Sequence, residues 1–111
     1  MTISYDDFIN VDIRAGKMIK AESFPEARNP AYKLQIDFGD DIGIKKTSAQ
    51  ITQNYQPSDL EGKIISAVVN FPPKQIGPFM SEVLVLGFHD KNNHVSLISP
   101  DSAVPLGARL C

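Results

Sequence analysis

The clearest periodicity in the chain is a two-residue alternation, Tyr32, Leu34, Ile36 and Phe38 against Lys33, Gln35 and Asp37. Side chains alternate across a strand, so this segment predicts a β-strand with one face buried. A longer alternation precedes it. Val11, Ile13, Ala15, Ile19 and Ala21 share one parity, and Asp12, Arg14, Lys20 and Glu22 share the other. Lys17 interrupts the apolar parity directly after Gly16, which predicts a bulge or bend there. Further strands are expected over Ile44–Ile51, Lys63–Phe71, Met80–His89 and Val95–Ile98. Thr2–Ile9 predicts a short helix, with Ser4 as N-cap and Asp6 and Asp7 in the first turn, where carboxylates favour the helix dipole. Ser58–Glu61 allows one helical turn at most. The proline-bearing stretches Phe24–Pro30 and Pro72–Pro78 read as loops, Gly39–Gly43 as a hairpin connection, and the tail after Pro100 as irregular.

Five or six antiparallel strands with one short leading helix make an all-β fold. A closed barrel removes exposed strand edges, and a small sandwich is the alternative that pattern alone leaves. The expected core comprises Val11, Ile13, Leu34, Ile36, Val68, Leu97 and one of Leu84 and Val85. The run Val83–Leu86 is apolar on both parities, so its inward member is open.

Length and charge narrow the function classes. The 111 residues suit one domain over 1–111, with a modest core. Thirteen acidic against eleven basic residues give a net charge of -2, so any polyanion site requires local segregation of charge. No stretch has the ~18 apolar residues of a membrane helix, and the start lacks a basic and apolar leader, so a cytoplasmic protein without membrane insertion is expected. The single cysteine, Cys111, fits a reducing compartment. No constellation of catalytic groups stands out. His89 and His94 flank an expected turn, Asp40-Asp41 sits between glycines in another, and the glycines form no phosphate-cradling loop. Neither an enzyme nor a metal or cofactor site is expected.

Three segments carry a family resemblance: Val11-Asp12-Ile13-Arg14-Ala15-Gly16-Lys17, Asn70-Phe71-Pro72-Pro73-Lys74-Gln75-Ile76 and Ser81-Glu82-Val83-Leu84-Val85-Leu86-Gly87. They resemble the tRNA-binding OB-fold domain appended to methionyl-tRNA synthetases and found in related tRNA-binding cofactors. Phe24-Pro25-Glu26-Ala27-Arg28, Ala31-Tyr32-Lys33-Leu34, Ser48-Ala49-Gln50-Ile51-Thr52 and Val104-Pro105-Leu106-Gly107 are similar to the CsaA-type export chaperones of that family. The resemblance implies a five-stranded OB barrel with a short N-terminal helix and an irregular C-terminal extension. It implies a non-catalytic homodimer that binds unfolded or pre-secretory polypeptides, with tRNA as a further partner. Gln53-Asn54, Gln75 and Met80 stand where the tRNA-binding relatives tend to be more basic.

Candidate sites follow from chemistry on such a barrel. OB barrels bind single strands by combining cations with stacking aromatics on one face. Arg14, Lys17, Lys33, Lys45, Lys46 and Lys74 are candidate nucleic-acid contacts, with Arg14, Lys33, Lys45 and Lys74 expected to converge on one surface. A lysine on the polar side of a strand is otherwise simply solvated. Asn70 and Ser81 are candidate hydrogen-bonding groups there, or else the polar ends of a loop. Phe71, Pro72, Ile76, Phe79 and Met80 are candidate polypeptide contacts, because prolines stiffen their loop and methionine adapts to varied partners. The same residues would otherwise cover the barrel end or fill a dimer interface. Ile3, Tyr5, Phe8, Ile9, Val104, Leu106 and Leu110 are candidate dimer contacts, the alternative being a cap folded back on their own barrel.

Overall fold

The computed structural model describes residues 1–111, and its longest strand organises the rest. Strand β1 (Ile13–Ser23) pairs antiparallel with β2 (Tyr32–Asp37) over its second half and with β4 (Ile64–Val68) over its first. A strand shared this way must bend between its neighbours. It does so at Ile19, where the register with β2 shifts between Met18 and Lys20. The irregularity therefore lies three residues beyond Gly16, where the alternation predicted it. Gly16 has another reason to be glycine. A Cβ there would stand 2.6 Å from Ile36 Cγ2 and 2.7 Å from Phe38 Cε1, inside any real contact. The strand lies flat against both side chains because nothing projects from it.

Strand β3 (Ile44–Ala49) pairs with β2, and β7 (Leu84–Val85) pairs with β4, giving a five-stranded sheet ordered β3-β2-β1-β4-β7. Strands β5 (Lys74–Ile76) and β6 (Phe79–Ser81) form a separate hairpin, as do β8 (Gly87–His89) and β9 (Val95–Leu97). The sheet curls until β3 approaches the β6–β7 segment. There the Lys46 N–H donates to Glu82 Oε1 and the Glu82 N–H to the Lys46 carbonyl, each at 2.8 Å. A buried hydroxyl relay completes the seam. Thr47 donates to the Val83 carbonyl at 2.6 Å, which leaves Ser81 to donate to Thr47 at 2.9 Å. Both hydroxyls are buried, and no buried side-chain polar atom lacks a partner. The result is the nearly closed antiparallel OB-type barrel that the resemblance implied.

Its interior holds Met18, Leu34, Ile36, Phe38, Ile65 and Leu60, each 1% exposed or less. Leu60 comes from α2 (Pro57–Leu60), the single turn expected near Ser58, which plugs one barrel end. Several core assignments change. Val11 is 40% exposed and Ile13 only half-buried, because the inward positions of early β1 are Gly16 and Met18, on the opposite parity to the apolar stripe. Leu34, Ile36 and Val68 are buried, and Leu97 packs partly against the core. Val85 faces inward and Leu84 is 49% exposed. The expected loop at Pro72–Pro78 contains β5, and the expected strand Met80–His89 is broken into pieces of β6, β7 and β8.

Helix α1 (Tyr5–Ile9) is capped by Ser4, whose Oγ accepts from the Asp7 N–H while Asp7 accepts from the Ser4 N–H, but it buries no residue. The irregular C-terminal tail is not loose. It runs beside β1, with the Ala15 N–H donating to the Ala108 carbonyl and the Leu110 N–H to the Ile13 carbonyl.

Candidate functional site

The loop between β1 and β2, the end of β3 and the β5–β6 hairpin enclose an open groove of about 960 Å³. Its position follows from the seam. Because Ser81 and Glu82 are fastened to β3, the hairpin stands up from the barrel mouth and its base becomes one wall. Phe71, Pro72, Lys74 and Ile76 line that wall, and Arg28 lies on the facing loop. The floor includes Ala31, Ile51 and Val83, all under 9% exposed, while Phe71 is 54% exposed. The groove thus has an apolar floor, two exposed cations on separate lining elements and a large ring open to solvent.

Phe79 and Met80, expected in the same place, are elsewhere. In β6, Met80 is 39% exposed and lines no part of the groove. Phe79 crosses to the outer surface of the barrel. Its ring lies on Phe24 at 5.4 Å between centroids, with Lys33 Nζ 5.9 Å and Lys46 Nζ 5.5 Å from its own centroid. A second, smaller pocket of about 340 Å³ forms there, lined by Lys20, Glu22, Lys33, Gln35, Lys46 and Phe79 among others. The two pockets share no lining residue, and the hairpin stands between them.

The expected convergence of Arg14, Lys33, Lys45 and Lys74 does not occur. Arg14 lies on the inward parity of β1, opposite Ala67, where its Nε donates to Asp12 Oδ1 at 2.6 Å and its Nη1 to the Gly107 carbonyl. The Asp12 hydrogen bond raises the Arg14 pKa beyond its already high value. Arg109 joins the same carboxylate at 3.6 Å, so this cluster fastens the tail to β1. Lys45 faces the other way from Lys46, half-buried beside Ile36 at the barrel rim. Lys17 is exposed on β1, outside both pockets. Lys74 belongs to the groove, and Lys33 and Lys46 to the outer face.

The two polar candidates are occupied internally. Asn70 Oδ1 accepts from the Asp12 N–H at 3.0 Å and its Nδ2 donates to the Asn10 carbonyl at 2.8 Å, tying β4 to the N-terminal segment. Ser81 belongs to the hydroxyl relay. The His89–His94 turn is also structural. Asp90 is held below the usual carboxylate range chiefly by the His94 N–H, then by Asn54 and the Asn92 N–H, which closes the turn. Arg28, Lys20, Phe24 and the apolar floor were not singled out beforehand. For Arg28 a signal existed, since the loop joining the first two strands of an OB barrel borders its ligand side.

This geometry can be set beside known proteins. The family described as "Putative tRNA binding domain" matches residues 13–109. The chain belongs to the tRNA-binding domain family. It is 32% identical over 108 residues to the methionine–tRNA ligase of Thermococcus kodakarensis, spanning 97% of this chain but only 14% of that enzyme's length. Its structure is similar to that of chaperone CsaA from Bacillus anthracis, with a TM-score of 0.93 and 47% identity over the whole of both chains. It is equally similar to the CsaA chaperone protein of Picrophilus torridus, with a TM-score of 0.92 and 52% identity over 99% of this chain and 100% of that one. The OB-type barrel, the hairpin and both terminal extensions therefore fall within a shared architecture.

Proposed function

We propose that this protein is a non-enzymatic, cytoplasmic chaperone that holds extended, partly apolar polypeptide segments, including precursors awaiting export. The open apolar groove beside the hairpin carries the reading. Monomeric proteins seldom expose a large contiguous apolar surface unless something binds it. Pro72 and Pro73 stiffen the approach to the hairpin, so presenting Phe71 and Ile76 costs little ordering entropy. The similarity to two CsaA chaperones supports the same assignment. Changing Phe71 and Ile76 together to serine is expected to weaken binding of an unfolded precursor at least about tenfold, since buried aromatic anchors dominate such contacts. Fluorescence anisotropy with a labelled precursor measures this. Unchanged affinity in a normally folded variant would remove the groove as the binding site.

The terminal segments support a homodimer. Ile3 and Tyr5 are 64% and 74% exposed, and Ile9 and Leu110 are 38% and 46% exposed, beside the half-buried Phe8. Val104 and Leu106 are half-buried against their own barrel, so the tail serves partly as a cap. A two-fold pairing through α1 and Leu110 would cover the rest. Sedimentation equilibrium at micromolar concentration should report a dimer, converted to monomer by Tyr5→Asp with Ile9→Asp. A monomeric parent protein would sink this assignment.

A second reading, tRNA binding, is favoured by the outer face. Lys20, Lys33 and Lys46 gather around one pocket although the chain as a whole is acidic. Membership of the tRNA-binding domain family points the same way.

A further inference from the structure

We propose that the groove selects polypeptide segments in which acidic residues flank apolar ones, and that Arg28 and Lys74 are the residues that make the selection. The inference rests on the polypeptide-holding reading and adds the class of segment held. Three formally charged side chains line the groove: Arg28, Lys74 and Glu82. Glu82 is already engaged, its Oε1 accepting the Lys46 N–H at 2.8 Å as part of the barrel seam. The cations are not. Both ion pairs in the molecule are made to Asp12, by Arg14 and Arg109, so neither Arg28 nor Lys74 has a carboxylate partner.

Their placement suits one kind of ligand. Lys74 stands on the hairpin wall, directly across the β5–β6 ladder from the anchored Ser81, and Arg28 on the opposite loop. The same groove has an apolar floor that includes Ala31, Ile51 and Val83. A segment that lowers apolar side chains onto this floor brings its flanking residues to the two walls. A carboxylate arriving there gains a charge-assisted hydrogen bond beside a surface already cleared of water. An ammonium arriving there meets two cations against the single carboxylate of Glu82, and such net repulsion discriminates between partners. The lysines of the outer face take no part, since they line a separate pocket on the far side of the hairpin.

The test uses the intact protein and three labelled peptides of equal length with the same apolar centre and acidic, neutral or basic flanks. Anisotropy titrations at low salt should rank them acidic, neutral, basic, with at least about a tenfold span that narrows as salt screens the charges. Arg28→Glu with Lys74→Glu should invert the ranking, and Arg28→Gln with Lys74→Gln should flatten it, in variants whose melting is unaltered. Reversing Lys33 and Lys46 instead should leave the ranking in place. Equal binding of the three peptides, or a ranking that survives the Arg28 and Lys74 reversal, overturns the selection while the polypeptide reading stands. Failure of all three to bind overturns that reading and the selection together. If single-stranded RNA binds in their place and the Arg28 and Lys74 reversal abolishes it, the groove is a nucleic-acid site.

Discussion

Phe38→Ala is expected to lower the unfolding free energy by about 3–5 kcal/mol, a large share of the roughly 5–15 kcal/mol that holds a domain of this kind together. The ring is 1% exposed and is among the largest fully buried side chains. The cost of such a truncation depends on whether the neighbours can close the void. Here they cannot. One side of the ring meets the bare backbone at Gly16, and the Phe38 carbonyl lies so close to Gly107 that a Cβ there would stand 2.5 Å from it. Both contacts are with main chain held in ladders, Gly16 to Ile65 in β4 and Gly107 through its N–H to the Ala15 carbonyl. Main chain pinned beside the ring at Gly16 moves little, and Gly107 holds the Phe38 backbone in place, so the cavity remains. Urea unfolding followed by circular dichroism should show a midpoint lowered by about 1 M or more, taking a slope of ~1–3 kcal/mol per molar. A loss below about 1 kcal/mol would show that the barrel collapses around the missing ring and that Gly16 does not brace it.

Lys33→Glu with Lys46→Glu is expected to weaken tRNA binding at least about tenfold at low salt and to reduce the salt slope by about two. Each lysine that neutralises a phosphate releases a counterion, so the slope of log affinity against log salt counts such contacts. Lys33 and Lys46 are the pair held over the Phe79 ring, with Lys20 in the same pocket. Glu22 is opposite Lys33 in the β1–β2 register and thins the local field. The reversal removes two cations and leaves only Lys20 to offset that carboxylate. Stability should fall by only about 1 kcal/mol, the worth of exposed cation–π contacts. Arg14→Glu should behave differently, because it breaks the Asp12 pair that fastens the tail rather than a contact on this face. A slope unchanged by the Lys33 and Lys46 reversal would place tRNA elsewhere or remove it as a ligand.

Much of the barrel was legible in residues whose neighbours in sequence are also their neighbours in register. The alternation of Tyr32, Leu34, Ile36 and Phe38 is the observed β2 and its exit, every apolar member buried. Ser4 caps α1 as its side chain and the two aspartates implied. The site was less legible. The candidate cations were chosen by residue type and strand parity, and parity fails wherever a strand bulges or changes partners. Arg14 and Lys33 carry opposite facings because the shift at Ile19 lies between them. Phe79 and Ile76 pair across the β5–β6 hairpin, yet Ile76 lines the groove and Phe79 the outer pocket, a division that no local pattern marks.

By itself, then, the sequence determined strands β1 to β4 and β9, the capped leading helix, the all-β class and the stiff, apolar composition of the segment from Phe71 to Met80. These follow from short-range periodicity and backbone preference, which act over a few residues. Tertiary structure alone decided that Thr47, Ser81 and Val83 close the barrel, that Asp12 gathers Arg14 and Arg109, and that Arg28 and Lys74 line one groove. Each of those meetings joins residues more than thirty positions apart or depends on one that does. No local pattern encodes such distances. They arise when a bent eleven-residue strand takes different partners along its two halves and rolls the sheet until its ends meet.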